Sequence, residues 1–195
     1  NEIKNDKYQV IHELGKIPNR DSIKSISYNY GKITSEFSKF WGDNKFDLVF
    51  AIGDRWEMSA AVQSSIPFEI QIAHIHGGET TIGSVDNIYR HQITLASKIH
   101  FTTSKEHSKK VSNLIGNQKD IFNVGSLSLE NIDLNKLPTW KEVKHKFNIP
   151  FDKFILVTFH PETISSNQNF NYSLILFDAL LKISKDTNIV ITNTN

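Results

Sequence analysis

The chain has 195 residues, 38% of them hydrophobic, and sets 22 basic against 21 acidic side chains for a net charge of +1. That length can bury the core of one large domain, or of one domain and part of another, and the even charge excludes a nucleic-acid surface or a polybasic membrane patch as the main partner. Zero cysteines exclude disulfides, thiolate metal sites and cysteine nucleophiles. With no apolar run of the ~20 residues that a bilayer demands and no signal-peptide core, a cytoplasmic protein with a small partner is expected.

Tyr8 to Leu14 alternates weakly and reads as a short strand. From Asp21, the apolar residues Ile26, Tyr30, Ile33, Phe37 and Phe40 recur at steps of three and four, which predicts an amphipathic helix capped by Asp21 or Ser22 and ending near Gly42. Phe46 to Ile52 is a nearly unbroken apolar run, the pattern of a strand buried on both faces of a parallel sheet, and Gly53-Asp54-Arg55 follows it directly. Trp56 to Ser65 reads as a helix, Pro67 breaks it, and a second strand from Ile70 to Ile75 runs into His76-Gly77-Gly78-Glu79. A helix around Ile88 to Ser97, a strand at Ile99 to Thr103, a helix from Ser104 to Ile115 and a strand at Ile121 to Val124 continue the alternation.

Gly125 to Pro150 is less regular and reads as a passage between domains. The alternation then restarts with a strand at Phe154 to Phe159 ending in His160-Pro161-Glu162, a polar loop from Ser165 to Gln168, a helix from about Tyr172 to Lys185, and a strand emerging at Ile189 to Thr192. The first residue is Asn1 rather than Met and nothing closes the last strand, so a fragment is expected. Strands alternating with helices across short connections predict a doubly wound α/β sheet, whose right-handed crossovers put every strand's carboxyl end on one edge. The clusters at 53–55 and 76–79 should therefore be neighbours.

Asp54 and Arg55 are placed by a rigid strand, where a carboxylate can move a proton and a guanidinium can neutralise phosphate; a surface ion pair or helix cap is the plain alternative. Gly77 and Gly78 allow backbone to approach a ligand, or simply turn, with His76 and Glu79 projecting beside them. Asp86, Arg90 and His91 begin the next helix, where they can join the preceding loop in a site; a capping role for Asp86 with the other two facing outward is the plain alternative. His160 stands alone at a strand end in the second domain, where it could close onto the first cluster across a cleft; a structural histidine is the plain alternative. A rival reading makes His74, His76, Glu79 and His91 a zinc or iron site, although no HExxH helix is present. Neither a G-x-x-x-x-G-K-[ST] loop nor a G-x-G-x-x-G fingerprint occurs, which argues against a nucleoside triphosphatase or a dinucleotide enzyme.

Five motifs in order carry a family resemblance: Gly53-Asp54-Arg55-Trp56-Glu57-Met58; Ile72-Ala73-His74-Ile75-His76-Gly77-Gly78-Glu79; Val85-Asp86-Asn87 with Arg90-His91-Gln92-Ile93-Thr94; Val124-Gly125-Ser126; and Leu156-Val157-Thr158-Phe159-His160-Pro161-Glu162-Thr163. The chain resembles the hydrolysing UDP-N-acetylglucosamine 2-epimerases of sialic and legionaminic acid synthesis. The resemblance implies two Rossmann-like doubly wound domains of glycosyltransferase-B type, both incomplete in this chain. Residues 1–124 would be the amino-terminal domain without its first strand unit, 125–150 the passage, and 151–195 the start of the nucleotide-binding domain. It implies removal of the sugar C2 proton with loss of the nucleoside diphosphate, giving a glycal, then addition of water to yield a free manno-configured sugar. No cofactor or metal is implied. The expected partner is the nucleotide sugar, with neither nucleic acid nor membrane, and a homo-oligomer, dimer or tetramer, is expected.

Carried over from the family, Asp54 and Asp86 match catalytic carboxylates, His160 the second-domain histidine, and Arg55 a cleft arginine, while Gly77, Gly78, Arg90 and His91 fall with the substrate-binding residues. Position 76 departs, because relatives of the sialic acid branch carry a carboxylate there; His76 and Glu79 are both candidates for the third acid or base. Asn87 replaces a common second acid beside Asp86. An amino-terminal strand with an Arg-containing turn, and a Ser/Gly-rich turn with a glutamate for diphosphate and ribose, should lie beyond Asn1 and Asn195. A protein with only these residues is expected to be inactive. Rival readings are a non-hydrolysing 2-epimerase, a glycosyltransferase of the same architecture, or an inactive nucleotide-sugar-binding module.

Overall fold

The computed structural model describes residues 5, 12–14, 22–130, 132–162 and 166–193. Most of the strand expected at Tyr8 to Leu14, the Asp21 cap, and Thr163 and Ser165 lie outside the described residues; 12–14 carry no regular structure.

Two compact units divide the chain, one of residues 1–81 and 86–127, the other of 82–85 and 128–195. The first unit opens with helix α1, Ile23–Asp43, whose N-cap Ser22 accepts a hydrogen bond from the Ser25 backbone N–H. Its apolar stripe packs on α2, Trp56–Ser65, burying Ile33, Trp56 and Ala60, and Trp41 Nε1 donates to the Ala61 carbonyl at 3.0 Å. Between them lies strand β1, Val49–Ile52. Then come β2, Ile72–Ile75; α3, Asp86–Ala96; β3, Ile99–Thr102; α4, Lys105–Ile115; and β4, Ile121–Asn123. Ser104 caps α4 and Gly116, at φ +73°, ends it, as a residue in the left-handed region commonly does.

The four strands are parallel and stand in chain order, β1-β2-β3-β4, with Ala51 opposite His74 and His74 opposite His100. Right-handed crossovers between strands in that order all land on one face. The covered face holds Ala51, Ile72, His74, His100 and Thr102, all buried, and packs with Val62 and Ile93. On the opposite face Phe50, Phe101 and Phe122 stack at 6.2 and 5.7 Å between ring centres, with Phe50 59% and Ile52 51% exposed. The strand expected to be buried on both faces is therefore covered on one side only, among the described residues, and it starts at Val49 rather than Phe46. An apolar run records that a strand can be covered, not by what.

His100 is fully buried, yet neither of its ring nitrogens finds a hydrogen-bond partner among the described residues. It lines a cavity of about 530 Å³ with Lys98, Ile115 and Asp120 at the amino ends of β3 and β4. Burial, opposed by the charge of Asp120, lowers its pKa.

The second unit contains α5, Trp140–Phe147; β5, Ile155–Val157; α6, Asn169–Ile183; and β6, Ile189–Ile191, parallel to β5. The passage expected to be irregular thus holds a helix. Thr139 and Glu142 cap each other's backbone at its start, and Asn148 at φ +51° ends it. Trp140 stacks on Phe154 at 5.6 Å, and Lys144 Nζ lies 2.6 Å from Asp152.

Candidate active site

The carboxyl ends of β1, β2 and β3 meet at one edge of the first unit. Gly53, at φ +81°, turns the chain out of β1, donating its N–H to the Ile75 carbonyl at 3.0 Å. His74 Nε2 lies 2.9 Å from the Gly53 carbonyl and must be its donor, so Nδ1, 3.0 Å from Thr94 Oγ1, accepts the threonine O–H. This buried imidazole thereby fixes the turn that presents Asp54. Burial, against the Gly53 hydrogen bond and with the charges of His100, Arg90 and His76, pulls the His74 pKa down to about 4.

His76 leaves β2 at φ +69°, a left-handed conformation that costs a non-glycine residue roughly 1–2 kcal/mol. Two backbone hydrogen bonds hold it there, its N–H to the Phe101 carbonyl at 3.0 Å and its carbonyl from Arg90 Nη1 at 2.7 Å. Gly77 and Gly78 follow for packing reasons. A Cβ on Gly77 would sit 3.1 Å from His74 Nδ1, and one on Gly78, itself at φ +80°, only 2.4 Å from the His107 carbonyl oxygen. Glycine at these two positions lets the loop close against α4.

Arg90 is the hub of the edge. Expected among the substrate-binding residues, with an outward-facing side chain as the plain alternative, it is 4% exposed, and one terminal nitrogen pairs with Asp54 Oδ2 while the other reaches Glu79 Oε2 at 3.3 Å. Glu79 Oε1 in turn accepts from His76 Nδ1 at 2.7 Å and from Thr103 Oγ1 at 2.9 Å. Burial alone would raise the Glu79 carboxyl, but the His76 and Thr103 hydrogen bonds, with the charges of His76 and Arg90, hold it below the usual range. The clusters at 53–55 and 76–79 are therefore one assembly, joined by Arg90.

The other expected residues have surroundings of their own. Arg55 bonds to Glu57 at 3.1 and 3.3 Å. Asp86 is half-buried at the start of α3, and its charge, after burial and the charge of Tyr30, helps raise the Tyr89 hydroxyl. His91 is exposed, and His160, past β5 in the second unit, is exposed as well. Sequence reasoning missed Thr103 and His107, which bond to each other at 2.7 Å. The rule that drew attention to two strand ends, applied to the end of β3, would have found both.

His74 is committed to Gly53 and Thr94 and His76 to Glu79, and among the described residues no group of three or more His, Asp or Glu side chains could hold a metal ion. No helix of the described residues is long and apolar enough to cross a membrane.

A family profile described as UDP-N-acetylglucosamine 2-epimerase matches residues 6–195. The chain belongs to this family. It is 33% identical over 164 residues to the polysialic acid biosynthesis protein P7 of Escherichia coli, a match covering 84% of this chain and 42% of that protein. It is 32% identical over 155 residues to the GDP/UDP-N,N'-diacetylbacillosamine 2-epimerase (hydrolyzing) of Campylobacter jejuni, covering 77% of this chain and 40% of that one. The chain spans about half the length of the curated relatives it matches, or less. Among solved structures, the epimerase of Neisseria meningitidis bound to UDP-GlcNAc superposes with a TM-score of 0.70 at 19% identity, over 97% of this chain and 53% of that one. The Methanocaldococcus jannaschii epimerase in complex with UDP-GlcNAc and UDP gives 0.68 at 20% identity, over 86% and 47%. The fold is thus the α/β class of the 2-epimerases, with parallel sheets, as the family resemblance implied.

Proposed function

We propose that the whole protein is a hydrolysing nucleotide-sugar 2-epimerase. Its substrate is UDP-N-acetylglucosamine or a related UDP- or GDP-linked acetamido sugar, and its products are a nucleoside diphosphate and a free manno-configured N-acetyl sugar. The observation that carries this reading is the Arg90 assembly, which holds one acid from each of the first two motifs, Asp54 and Glu79, at the same strand edge. Elimination of the diphosphate requires a base for a weakly acidic C–H and a cation or acid for the leaving group, and positioned side chains each supply such terms. Asp54 and Asp86 carry the proton transfers; His160 and Arg55 stabilise the departing diphosphate. Arg90 binds the acids rather than the substrate, and His91, Gly77 and Gly78 shape the sugar pocket.

His76, not Glu79, takes the place of the family's third acid. Both Glu79 oxygens already accept from the protein, Oε1 from His76 and Thr103 and Oε2 from Arg90. His76 Nε2 has no hydrogen-bond partner among the described residues, so the ring can accept or give a proton there while Glu79 orients it. Incubating the full-length protein with a panel of UDP- and GDP-linked acetamido sugars tests the proposal. Nucleoside diphosphate and a free manno sugar are expected. An epimer still joined to its nucleotide, dependence on an acceptor sugar, or no product across the panel would overturn it.

A further inference from the structure

The hydrogen-bonded group at the strand edge continues beyond the residues assigned above. Thr103, the first residue after β3, has its hydroxyl 2.9 Å from Glu79 Oε1 and 2.7 Å from His107 Nδ1. His107 lies in the first turn of α4, where its backbone N–H is held by the Ser104 cap at 3.1 Å.

The protons in this chain can be assigned one after another. Glu79, held as a carboxylate, can only accept. Thr103 must therefore direct its single O–H at Glu79 Oε1, which leaves its lone pairs facing His107, and His107 Nδ1 must carry a proton to donate. By the same rule, His76 Nδ1 donates its proton to Glu79 Oε1 at 2.7 Å. In a neutral imidazole the remaining nitrogen then holds the lone pair, so His76 Nε2 is the proton acceptor.

We propose that Thr103 and His107 are positioning residues that hold Glu79 as the acceptor for His76 and so fix His76 as its Nδ1–H tautomer, with Nε2 as the working atom. This rests on the acid–base role given to His76 above. A second observation supports it. The absence of a Cβ on Gly78 brings the loop that carries Glu79 against the His107 carbonyl, so the loop-to-helix distance across which Thr103 bridges is set by packing. The other charged and titratable groups here do not supply the Oε1 side of Glu79. Arg90 approaches from α3 on Oε2, Asp54 meets that same guanidinium, and His74 is bonded to Gly53 and Thr94. Without the Thr103 hydroxyl, Glu79 Oε1 keeps His76 as its one donor, and the carboxylate can turn about its Arg90 contact on Oε2 away from His76.

The test uses full-length protein labelled with ¹⁵N-histidine, reading the His76 tautomer in long-range ¹H–¹⁵N spectra of the resting protein, alongside kcat and KM. Thr103→Val keeps the side-chain shape without the hydroxyl, Thr103→Ser restores the hydroxyl, and His107→Asn keeps a donor near Nδ1 where His107→Phe does not. Wild type should show His76 protonated on Nδ1. Thr103→Val and His107→Phe should mix the tautomers and lower kcat roughly tenfold, the scale of one charge-assisted hydrogen bond, with KM changed less than about twofold. Thr103→Ser and His107→Asn should recover most of both. An unchanged tautomer in Thr103→Val, or a serine variant no better than the valine one, would overturn the proposal. Because the tautomer is read without substrate, this failure is distinct from that of the epimerase reading, which would appear as no product in any variant, wild type included.

Discussion

Acid should destabilise the first unit through His74 before the carboxylates titrate. The ring is fully buried and neutral, with a pKa of about 4 against the ordinary value of 6.5. Above pH 6.5 the folded and unfolded chains bind the same number of protons at this position, and His74 adds no pH dependence. Between 6.5 and 4 the unfolded chain takes a proton that the folded one refuses, so stability falls as pH falls, and below 4 the loss is complete. A shift of about 2.5 pH units corresponds to roughly 3 kcal/mol, lost at about 1.4 kcal/mol per pH unit in the steepest part. His100, lowered by burial, adds in the same direction. The assay is urea unfolding of the full-length protein at several pH values from 7 to 4.5, read in the ¹⁹F-NMR signals of 5-fluorotryptophan at Trp41 and Trp56 of the first unit, each assigned by single substitution. His74→Gln keeps an N–H for the Gly53 carbonyl but cannot titrate, and should flatten the curve by about 1 kcal/mol per pH unit. An unchanged slope in that variant, or a His74 that titrates by NMR near 6.5, would refute the reasoning.

Arg90→Met should cost about 3–5 kcal/mol in denaturant unfolding, because it strands Asp54 and Glu79 without their cation; a loss under about 1 kcal/mol would mean the acids are solvated on their own. Gly78→Ala should be much more damaging than Gly53→Ala, judged by melting temperature. Both sit at positive φ, which costs about 1–2 kcal/mol, but only the first would drive a Cβ to 2.4 Å from a backbone oxygen, while nothing lies within 4 Å of the second. Equal losses would remove the packing explanation of the glycine pair. His100→Leu should be neutral or stabilising by about 1 kcal/mol, since an imidazole with no hydrogen-bond partner among the described residues gives way to an apolar side chain; clear destabilisation would reveal a partner for the ring.

Much of this was legible in the sequence, for a topological reason. Once strands and helices alternate, the residues just past each strand must share an edge, and Asp54, His76 and Glu79 do so. Trp56–Ser65 is a helix with the predicted bounds, because Pro67 and the Asp54-Arg55 polar start delimit it locally. Three features were not legible. The side of α3 that Arg90 takes depends on how the helix is rotated against its neighbours, which spacing from Asp86 leaves open. Among the described residues, Phe50 and Ile52 are exposed on the face opposite the crossovers between β1 and β4, which strand order decides and no single residue reveals. The helix Trp140–Phe147 was hidden by Pro138, Pro150 and the surrounding polar residues, although Thr139 with Glu142 three positions on is a legible capping signal.

The most direct measurement is incubation of the full-length protein with UDP-N-acetylglucosamine and related UDP- and GDP-linked acetamido sugars in D₂O, followed by NMR of the sugar product. Loss of the C2 proton to a side-chain base, with loss of the diphosphate and addition of solvent, predicts a free manno-configured sugar carrying deuterium at C2 together with an equivalent of nucleoside diphosphate. A product that retains its original C2 proton, or one still joined to the nucleotide, would contradict the account.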